Sequence, residues 1–145
     1  YFNYLTNELA PRILTLNGAK KDTLLWAVGV DTGAYQAVNC RLRRPEVFAG
    51  AIGLSGLYDV RRFLGNAADD LVDKKLLAKA EENALLLCAG QGSYEGDALV
   101  DTQAMADALT DCGLPVHLEV WGSDVSHDWY WWGKELNLFA ARVFG

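Results

Sequence analysis

Residues that build metal sites and disulfide frameworks are scarce in this sequence. Its three cysteines, Cys40, Cys88 and Cys112, are far apart and form no CxxC pair. Its two histidines, His117 and His127, do not stand at metal-ligand spacing with them. An odd number of separated cysteines is typical of free thiols packed in a core. We therefore expect no metal site, no cofactor and a reducing, cytoplasmic compartment.

Positive charge and long apolar runs are also lacking. There are 13 lysines and arginines against 19 aspartates and glutamates, which gives a net charge of −6. Such a chain repels phosphate backbones, so we expect no nucleic-acid partner. No apolar run approaches the roughly 18 residues of a membrane span, and the basic residues are not gathered on one amphipathic face. We therefore expect no membrane partner either.

The length and composition favour one globular domain. The chain has 145 residues, close to the size of about 150 residues that is usual for a domain. Half of its residues are apolar, which argues against disorder. The sequence opens on Tyr1, and its first residues lack the basic and apolar regions of a signal peptide. We expect a single domain over 1–145, whole or partial, from a chain that was cut or processed.

Short apolar runs alternate with helical patterns along the sequence. The runs predict four strands, at 24–28, 50–54, 84–88 and 116–121. The first three are almost continuously apolar, which is typical of parallel strands covered on both faces. Helices are predicted at 2–16, 34–43, 99–109 and 129–144, with one or two more within 60–82. This alternation predicts the α/β class, a parallel sheet with flanking helices.

The turn after the first predicted strand carries the most informative motif. Residues 29–33 read Gly-Val-Asp-Thr-Gly and lead from the strand into a helix. This G-x-x-x-G pattern is typical of a nucleophile elbow, a sharp turn that lifts one side chain out at the carboxyl end of the sheet. Glycines at its two ends are expected because a close approach of helix and strand leaves no room for Cβ atoms. The side chain lifted out here is Asp31, where serine is usual.

The sequence resembles an esterase family of the α/β-hydrolase superfamily. The resemblance is carried by residues 26–59, which include Leu-Ser-Gly-Leu-Tyr-Asp at 54–59, and by the segments 90–95 and 120–129. It implies an α/β-hydrolase-like fold with a nucleophile, an acid and a histidine, and a small-molecule ester as substrate. It also implies further strands before residue 24, because complete members have them. We therefore expect a missing amino-terminal segment or a homodimer to cover one sheet edge.

The resemblance and the chain order together give the candidate site. Position 31 corresponds to the nucleophile, Glu95 to the acid and His127 to the base, and this is the order of α/β-hydrolases. His127 lies in a polar loop after a strand, where an imidazole can exchange a proton near neutral pH. Asp97 and Asp124 are alternatives for the acid. The backbone amide of Thr32 is expected to be one oxyanion-hole donor.

Other residues near these motifs are given structural roles. His117 lies inside a strand pattern, and Ser55 ends a strand without the elbow spacing, so neither is expected to react. Trp26 is expected in the core. The tryptophans that follow His127 are expected to pack against the sheet or, as the less favoured alternative, to line a pocket; they are Trp129, Trp131 and Trp132.

Asp31 leaves the activity open, because attack of a carboxylate on an ester gives a reversible anhydride. In one hypothesis Asp31 is an evolutionary remnant, and the domain is impaired for ester hydrolysis or only binds, as a scaffold. In another it attacks an sp³ carbon, as in the related haloalkane dehalogenases and epoxide hydrolases, and His127 activates water to hydrolyse the alkyl-enzyme ester. In a third, compatible with the first, its side chain caps the helix that starts at Thr32.

Overall fold

The structure is a computed structural model that describes residues 1–61 and 85–145. The helices predicted within 60–82 lie outside the described residues, apart from residues 60 and 61. The first residue of the strand predicted at 84–88 lies outside them as well.

The described residues form one parallel sheet of four strands in the order β1-β2-β3-β4. The strands are β1 (Leu25–Val30), β2 (Phe48–Leu54), β3 (Leu85–Ala89) and β4 (Val116–Val120). Each lies within two residues of its predicted bounds, so the α/β prediction with a parallel sheet is confirmed. Because all four strands run the same way, their carboxyl ends meet at one edge, and the loops that follow them come together there.

Helices connect the strands and cover the sheet. Residues 2–16 are helical throughout, as α1 (Phe2–Tyr4), a π-helical turn (Leu5–Leu9) and α2 (Ala10–Leu16). The others are α3 (Thr32–Arg43), α4 (Gly96–Asp111) and α5 (Trp129–Phe144). The prediction for α5 has the observed bounds, whereas α3 and α4 begin two and three residues before the predicted positions. Their first residues are small or polar and show no apolar periodicity. None of the described helices is both long and apolar enough to cross a membrane.

Alternating side chains of the central strands supply two apolar cores. Leu85 and Leu87 of β3 pack with residues of α3 and α4, whereas Leu86 and Cys88 pack on the opposite face with Phe139 of α5. This follows from the two-residue period of a strand. The sheet is thus fixed between helices on both sides, and α5 is held directly beneath the residues that end β2 and β3.

The expectation that the first strand is covered on both faces is wrong. β1 pairs with β2 and lies at an edge of the described sheet, where Val28 is 47% exposed. Trp26, which the sequence places in the core, is half-buried; it packs against the core on the α5 side of the sheet and edge-on against Phe144. An apolar run indicates that a strand is packed against other elements, but it does not indicate which elements of the chain cover it.

Candidate active site

The turn between β1 and α3 holds Asp31 in an unusual backbone conformation. Asp31 has φ +54° and ψ −125°, outside the regions that residues with a Cβ normally adopt. A Cβ added at Gly29 would overlap the carbonyl oxygen of Gly33, so the first glycine of the motif is required for this close approach. A Cβ at Gly33 would meet nothing within 4 Å. The expectation that both glycines are sterically required is therefore wrong for Gly33.

The side chain of Asp31 faces a histidine instead of capping its helix. Asp31 occupies the N-cap position of α3, yet its carboxylate accepts no capping hydrogen bond. The hypothesis of side-chain capping is therefore wrong. Its Oδ1 lies 3.1 Å from His127 Nε2, across 96 residues of sequence. The turn thus presents a carboxylate where β1 ends and directs it towards the loop after β4.

His127 is held by contacts on several sides. Its backbone N–H donates to the carbonyl of Ser93 at 3.0 Å, which joins the loop after β4 to the loop after β3. Its ring stands edge-on to Trp132, with centroids 4.8 Å apart. The side chain is 17% exposed, and Nδ1 is buried. Both ring nitrogens therefore have defined surroundings: Nε2 faces Asp31, and Nδ1 points inwards.

Glu95 is the carboxylate on the inner side of His127. It is fully buried, and its Oε1 lies 3.5 Å from His127 Nδ1. The same oxygen accepts a hydrogen bond of 2.6 Å from Ser55 Oγ. Glu95 is also the N-cap residue of α4, which fixes its backbone at the carboxyl edge of the sheet. Of the three acids considered from the sequence, Glu95 is the one that lies beside the imidazole.

The other two acids lie elsewhere on the surface. Asp97 is exposed in the first turn of α4, and Asp124 is exposed in the turn after β4. Neither is an ion-pair partner of His127 among the described residues. His117 lies apart from the cluster, on β4, where its Nε2 is 2.6 Å from Glu119 Oε1.

Ser55 has a role that the sequence reasoning missed. It follows β2 directly, is fully buried and has φ +47°. Its hydroxyl donates to Glu95 and accepts a 2.9 Å hydrogen bond from Trp132 Nε1. Ser55 therefore links α5 to the acid and fixes the carboxylate that faces His127. Its position at the end of a strand was the available signal, but the partners come from segments 40 and 77 residues away.

The three tryptophans that follow His127 separate into different roles. Trp132 is buried and belongs to the polar network, whereas Trp131 packs against Trp121. Trp129 is exposed and, with Trp132, lines an apolar groove of about 240 Å³ between β1 and α5. The groove is also lined by Val28, Gly29, Val30, Leu54, Gly133 and Leu136.

The backbone amide of Thr32 lies at the same edge of the sheet. It is the first N–H group of α3, and the first N–H groups of a helix have no acceptor within the helix. Such a group, at the positive end of the helix dipole, favours an oxygen that carries negative charge. It therefore stands where it could bind an oxyanion formed next to position 31.

Comparison with known proteins shows the fold. No family model matches the sequence, and no curated protein matches it. A ferulic acid esterase structure matches with TM-score 0.67 and 19% identity, covering 95% of this chain and 58% of that one. MPT51 from Mycobacterium tuberculosis matches with TM-score 0.78 and 14% identity, covering 99% and 67%.

An S-formylglutathione hydrolase from Staphylococcus aureus gives TM-score 0.72 and 19% identity, with 97% and 59% covered. The chain thus spans between 58% and 67% of the length of these three structures. It has the α/β-hydrolase fold, and esterases are among the structures that share it.

Proposed function

We propose that this chain carries the site of an esterase-type α/β-hydrolase in which Asp31 stands at the position of the serine nucleophile, so that ester hydrolysis is impaired or absent. The proposal depends on one observation: His127 lies between Asp31 Oδ1, at 3.1 Å, and Glu95 Oε1, at 3.5 Å. A nucleophile–histidine–acid series needs this arrangement, with Nε2 towards the nucleophile and Nδ1 towards the acid.

The chemistry of Asp31 explains why the site is impaired. A serine hydroxyl gives its proton to the histidine while its oxygen attacks the ester carbonyl. An aspartate carboxylate has no proton to give, and its attack on an ester forms an anhydride that the departing alcohol can reverse. The backbone turn, the base and the acid are therefore retained in this proposal, and only the attacking group differs. The Thr32 amide would bind the oxyanion of the ester carbonyl.

The test is to restore the serine. We would compare initial rates of p-nitrophenyl acetate hydrolysis by the native chain, by Asp31→Ser and by Asp31→Ser/His127→Gln. Asp124→Ser is the matched control, because it changes an exposed aspartate in the same way. We expect Asp31→Ser to exceed this control by about 100-fold or more, and the double variant to lose the gain, because a general base contributes about that much.

Two results would overturn the proposal. Turnover by the native chain that disappears in His127→Gln would mean that Asp31 is not an impairment. An Asp31→Ser variant no faster than Asp124→Ser would mean that the arrangement does not support ester hydrolysis, and a non-catalytic binding or scaffold role would then be favoured.

A second candidate is an aspartate-nucleophile hydrolase. It is supported by the apolar groove that adjoins the Asp31 turn, since alkyl halides and epoxides are small apolar substrates. Asp31 would attack an sp³ carbon and form an Asp31 ester, while a halide ion leaves or the epoxide ring opens to an alkoxide that takes a proton from water. Water deprotonated by His127 would then attack the ester carbonyl and release the alcohol and the carboxylate. Incubating His127→Gln with an alkyl halide and with an epoxide should leave an Asp31 adduct detectable by intact mass. The absence of an adduct would exclude this candidate.

A further inference from the structure

A glycine within α5 lies beside the candidate site without a packing neighbour. Gly133 is in the interior of the helix, where glycine is the least favourable residue after proline. A Cβ added there would meet no described atom within 4 Å apart from its chain neighbours and the backbone of its own helix. The described residues therefore give no steric reason for a glycine at this position. The space that its missing side chain leaves open belongs to the apolar groove between β1 and α5.

The groove is built from one stripe of α5 and from the ends of two strands. Its lining residues on α5 recur at the three- and four-residue spacing of one helix face: Trp129, Trp132, Gly133 and Leu136. On the sheet it is lined by residues 28–30 of β1 and by Leu54 of β2. Leu54 and Trp132 are buried at its base. Trp129 and Val28 are exposed, so the outer side of the groove is open to solvent.

The lining of the groove favours an apolar occupant. Among the described lining residues none carries a charged side chain, and the only polar side-chain atoms are the indole nitrogens of Trp129 and Trp132. The indole N–H of Trp132 already donates to Ser55. A polar ligand would lose hydrogen bonds to water here and gain few in return, whereas a hydrocarbon gains free energy by leaving water. The groove is therefore suited to a hydrocarbon chain.

The groove begins at the candidate site. Val30, which lines it, directly precedes Asp31 in the chain. Trp132, which also lines it, stands edge-on to His127 with ring centroids 4.8 Å apart. In covalent ester hydrolysis the acyl carbon becomes bonded to the nucleophile while the alcohol departs. The acyl chain is therefore the part of the substrate that stays next to position 31 and to the start of the groove.

We propose that the groove binds the hydrocarbon chain of the ester's acyl group, and that Gly133 keeps it open for a chain of about eight carbons. This inference rests on the proposed function, which places the acyl carbon at position 31. The chain length follows from the volume of the groove, about 240 Å³. A methylene group is similar in size to a water molecule, whose share of liquid volume is about 30 Å³. The substrate class is thus unbranched medium-chain esters, and Gly133 is a specificity-determining residue.

Binding to the native chain tests the groove without hydrolysis. Octanamide, an unreactive neutral analogue of an octanoyl ester, would be titrated into the native chain, Gly133→Leu and Ala141→Leu, with acetamide as the ligand that lacks the chain. The indole N–H signals would be followed by NMR, and Trp129→Phe assigns the Trp129 signal. We expect octanamide, but not acetamide, to shift this signal. The dissociation constant should rise about tenfold or more in Gly133→Leu, because the leucine side chain occupies the space of several methylene groups.

The variants separate a filled groove from a damaged fold. Ala141 is exposed on the same helix, so Ala141→Leu adds bulk away from the groove and should bind octanamide as the native chain does. Leucine is a better helix former than glycine, so thermal unfolding of Gly133→Leu should show no loss of stability. Trp129→Ala removes an exposed wall of the groove and should also weaken octanamide binding, which intrinsic fluorescence of the remaining tryptophans measures.

Three results would overturn the inference. Octanamide that leaves the Trp129 signal unmoved would show that the groove takes no acyl chain. Equal dissociation constants for the native chain and Gly133→Leu would show that Gly133 does not keep the groove open. An affinity for octanamide that falls as the protein concentration rises would mean that a second copy of the chain covers the groove.

Chain-length preference provides a separate readout. In Asp31→Ser, kcat/KM for p-nitrophenyl esters should rise about twofold to fourfold with each methylene from acetate to octanoate and then level off, because each added methylene leaves water in part or in full. In Asp31→Ser/Gly133→Leu the rise should stop at a shorter chain, while the acetate is hydrolysed at an unchanged rate. The same profile in both variants would overturn the specificity role. If Asp31→Ser hydrolyses no ester, the proposed function fails, while octanamide binding still decides whether the groove accepts an acyl chain.

Discussion

At the scale of single residues, the candidate site depends on a short chain of polar contacts. Trp132 donates to Ser55, Ser55 donates to Glu95, and Glu95 faces the inner nitrogen of His127. The outer nitrogen faces Asp31. Each link is buried or half-buried, so a lost hydrogen bond is not replaced easily by water. His127 Nδ1 makes no hydrogen bond among the described residues, so the ring is positioned by its 3.5 Å approach to Glu95, its edge-on contact with Trp132 and the backbone hydrogen bond to Ser93.

Removing the hydroxyl of Ser55 tests this network. Ser55→Ala leaves Glu95 Oε1 and Trp132 Nε1 without their buried partner, and we expect the free energy of unfolding to fall by about 2 kcal/mol. Urea unfolding measures the change. Ser123→Ala, in an exposed turn, is the control and should change stability by less than about 0.5 kcal/mol. Equal midpoints for the two variants would show that the network does not stabilise the fold.

The raised pKa of Glu135 predicts a pH dependence of stability. In the unfolded chain the pKa of this carboxyl is near the ordinary glutamate value of 4.5, whereas in the folded chain burial raises it to about 7. The free energy of unfolding should therefore fall as pH rises from about 5 to 7, by about 2 kcal/mol, and then level off. Glu135→Gln should lack this part of the fall. Urea unfolding at several pH values would contradict the prediction if the two curves ran parallel.

At the scale of secondary-structure elements, the close approach of β1 and α3 requires a glycine at position 29 but not at position 33. A Cβ at position 29 overlaps the backbone of Gly33, which cannot move without displacing α3. Gly33 itself lies in the first turn of α3 with open space where its Cβ would be. The same sequence motif thus contains one glycine that the packing requires and one that it does not.

Alanine substitutions at these two positions separate the two cases. Gly29→Ala should destabilise the fold by about 3 kcal/mol, because the added methyl group overlaps backbone atoms. Gly33→Ala should be neutral or stabilising by up to about 1 kcal/mol, because alanine is the better helix former. Thermal unfolding of both variants measures the difference. A Gly33→Ala variant as unstable as Gly29→Ala would contradict the packing seen here.

Helix α5 contributes both to the core and to the candidate site. Its buried residues Trp132, Glu135 and Phe139 recur at helical spacing on the face that packs on the sheet. The side chain of Asp128 accepts hydrogen bonds from the amides of Tyr130 and Trp131 and so fixes where the helix begins. Since Asp128 follows His127 directly, the start of α5 also sets the position of the imidazole.

At the scale of the whole molecule, β1 forms one edge of the described sheet, and β4 forms the other. Val28 is exposed at the β1 edge, and apolar grooves lie on both sides of this strand. The matched structures are longer than this chain, which spans 58% of the ferulic acid esterase. An exposed apolar strand edge favours pairing with another chain.

We therefore expect the 145-residue chain to form dimers through this edge. Sedimentation velocity over a range of concentrations measures the association. Val28→Lys should shift the equilibrium to the monomer, because a lysine on an edge strand opposes pairing. Val100→Lys, at an exposed position of α4, is the control and should leave the dimer unchanged. A native chain that stays monomeric throughout would show that the homodimer hypothesis is wrong.

The order of strands and helices could be predicted from the sequence because it depends on local patterns. Short apolar runs and helical periodicity gave the four strands and the described helices, and the turn at 29–33 marked the position that faces His127. Local patterns do not distinguish the acid that lies beside His127, since Glu95, Asp97 and Asp124 are all predicted in loops. Spacing along the chain does not tell which carboxylate is buried.

The sequence alone determined the α/β fold and the order of the site residues along it, because hydrophobic periodicity and turn residues act over a few neighbours. Only the tertiary structure decided that Glu95 is buried beside His127, that Ser55 and Trp132 hold it, and that the buried Glu135 carboxyl has no hydrogen-bond partner within the described part of the chain. These contacts join segments 30 or more residues apart, and burial is a property of the packed whole. The charge state of an interior carboxyl therefore appears only when the sheet and α5 come together.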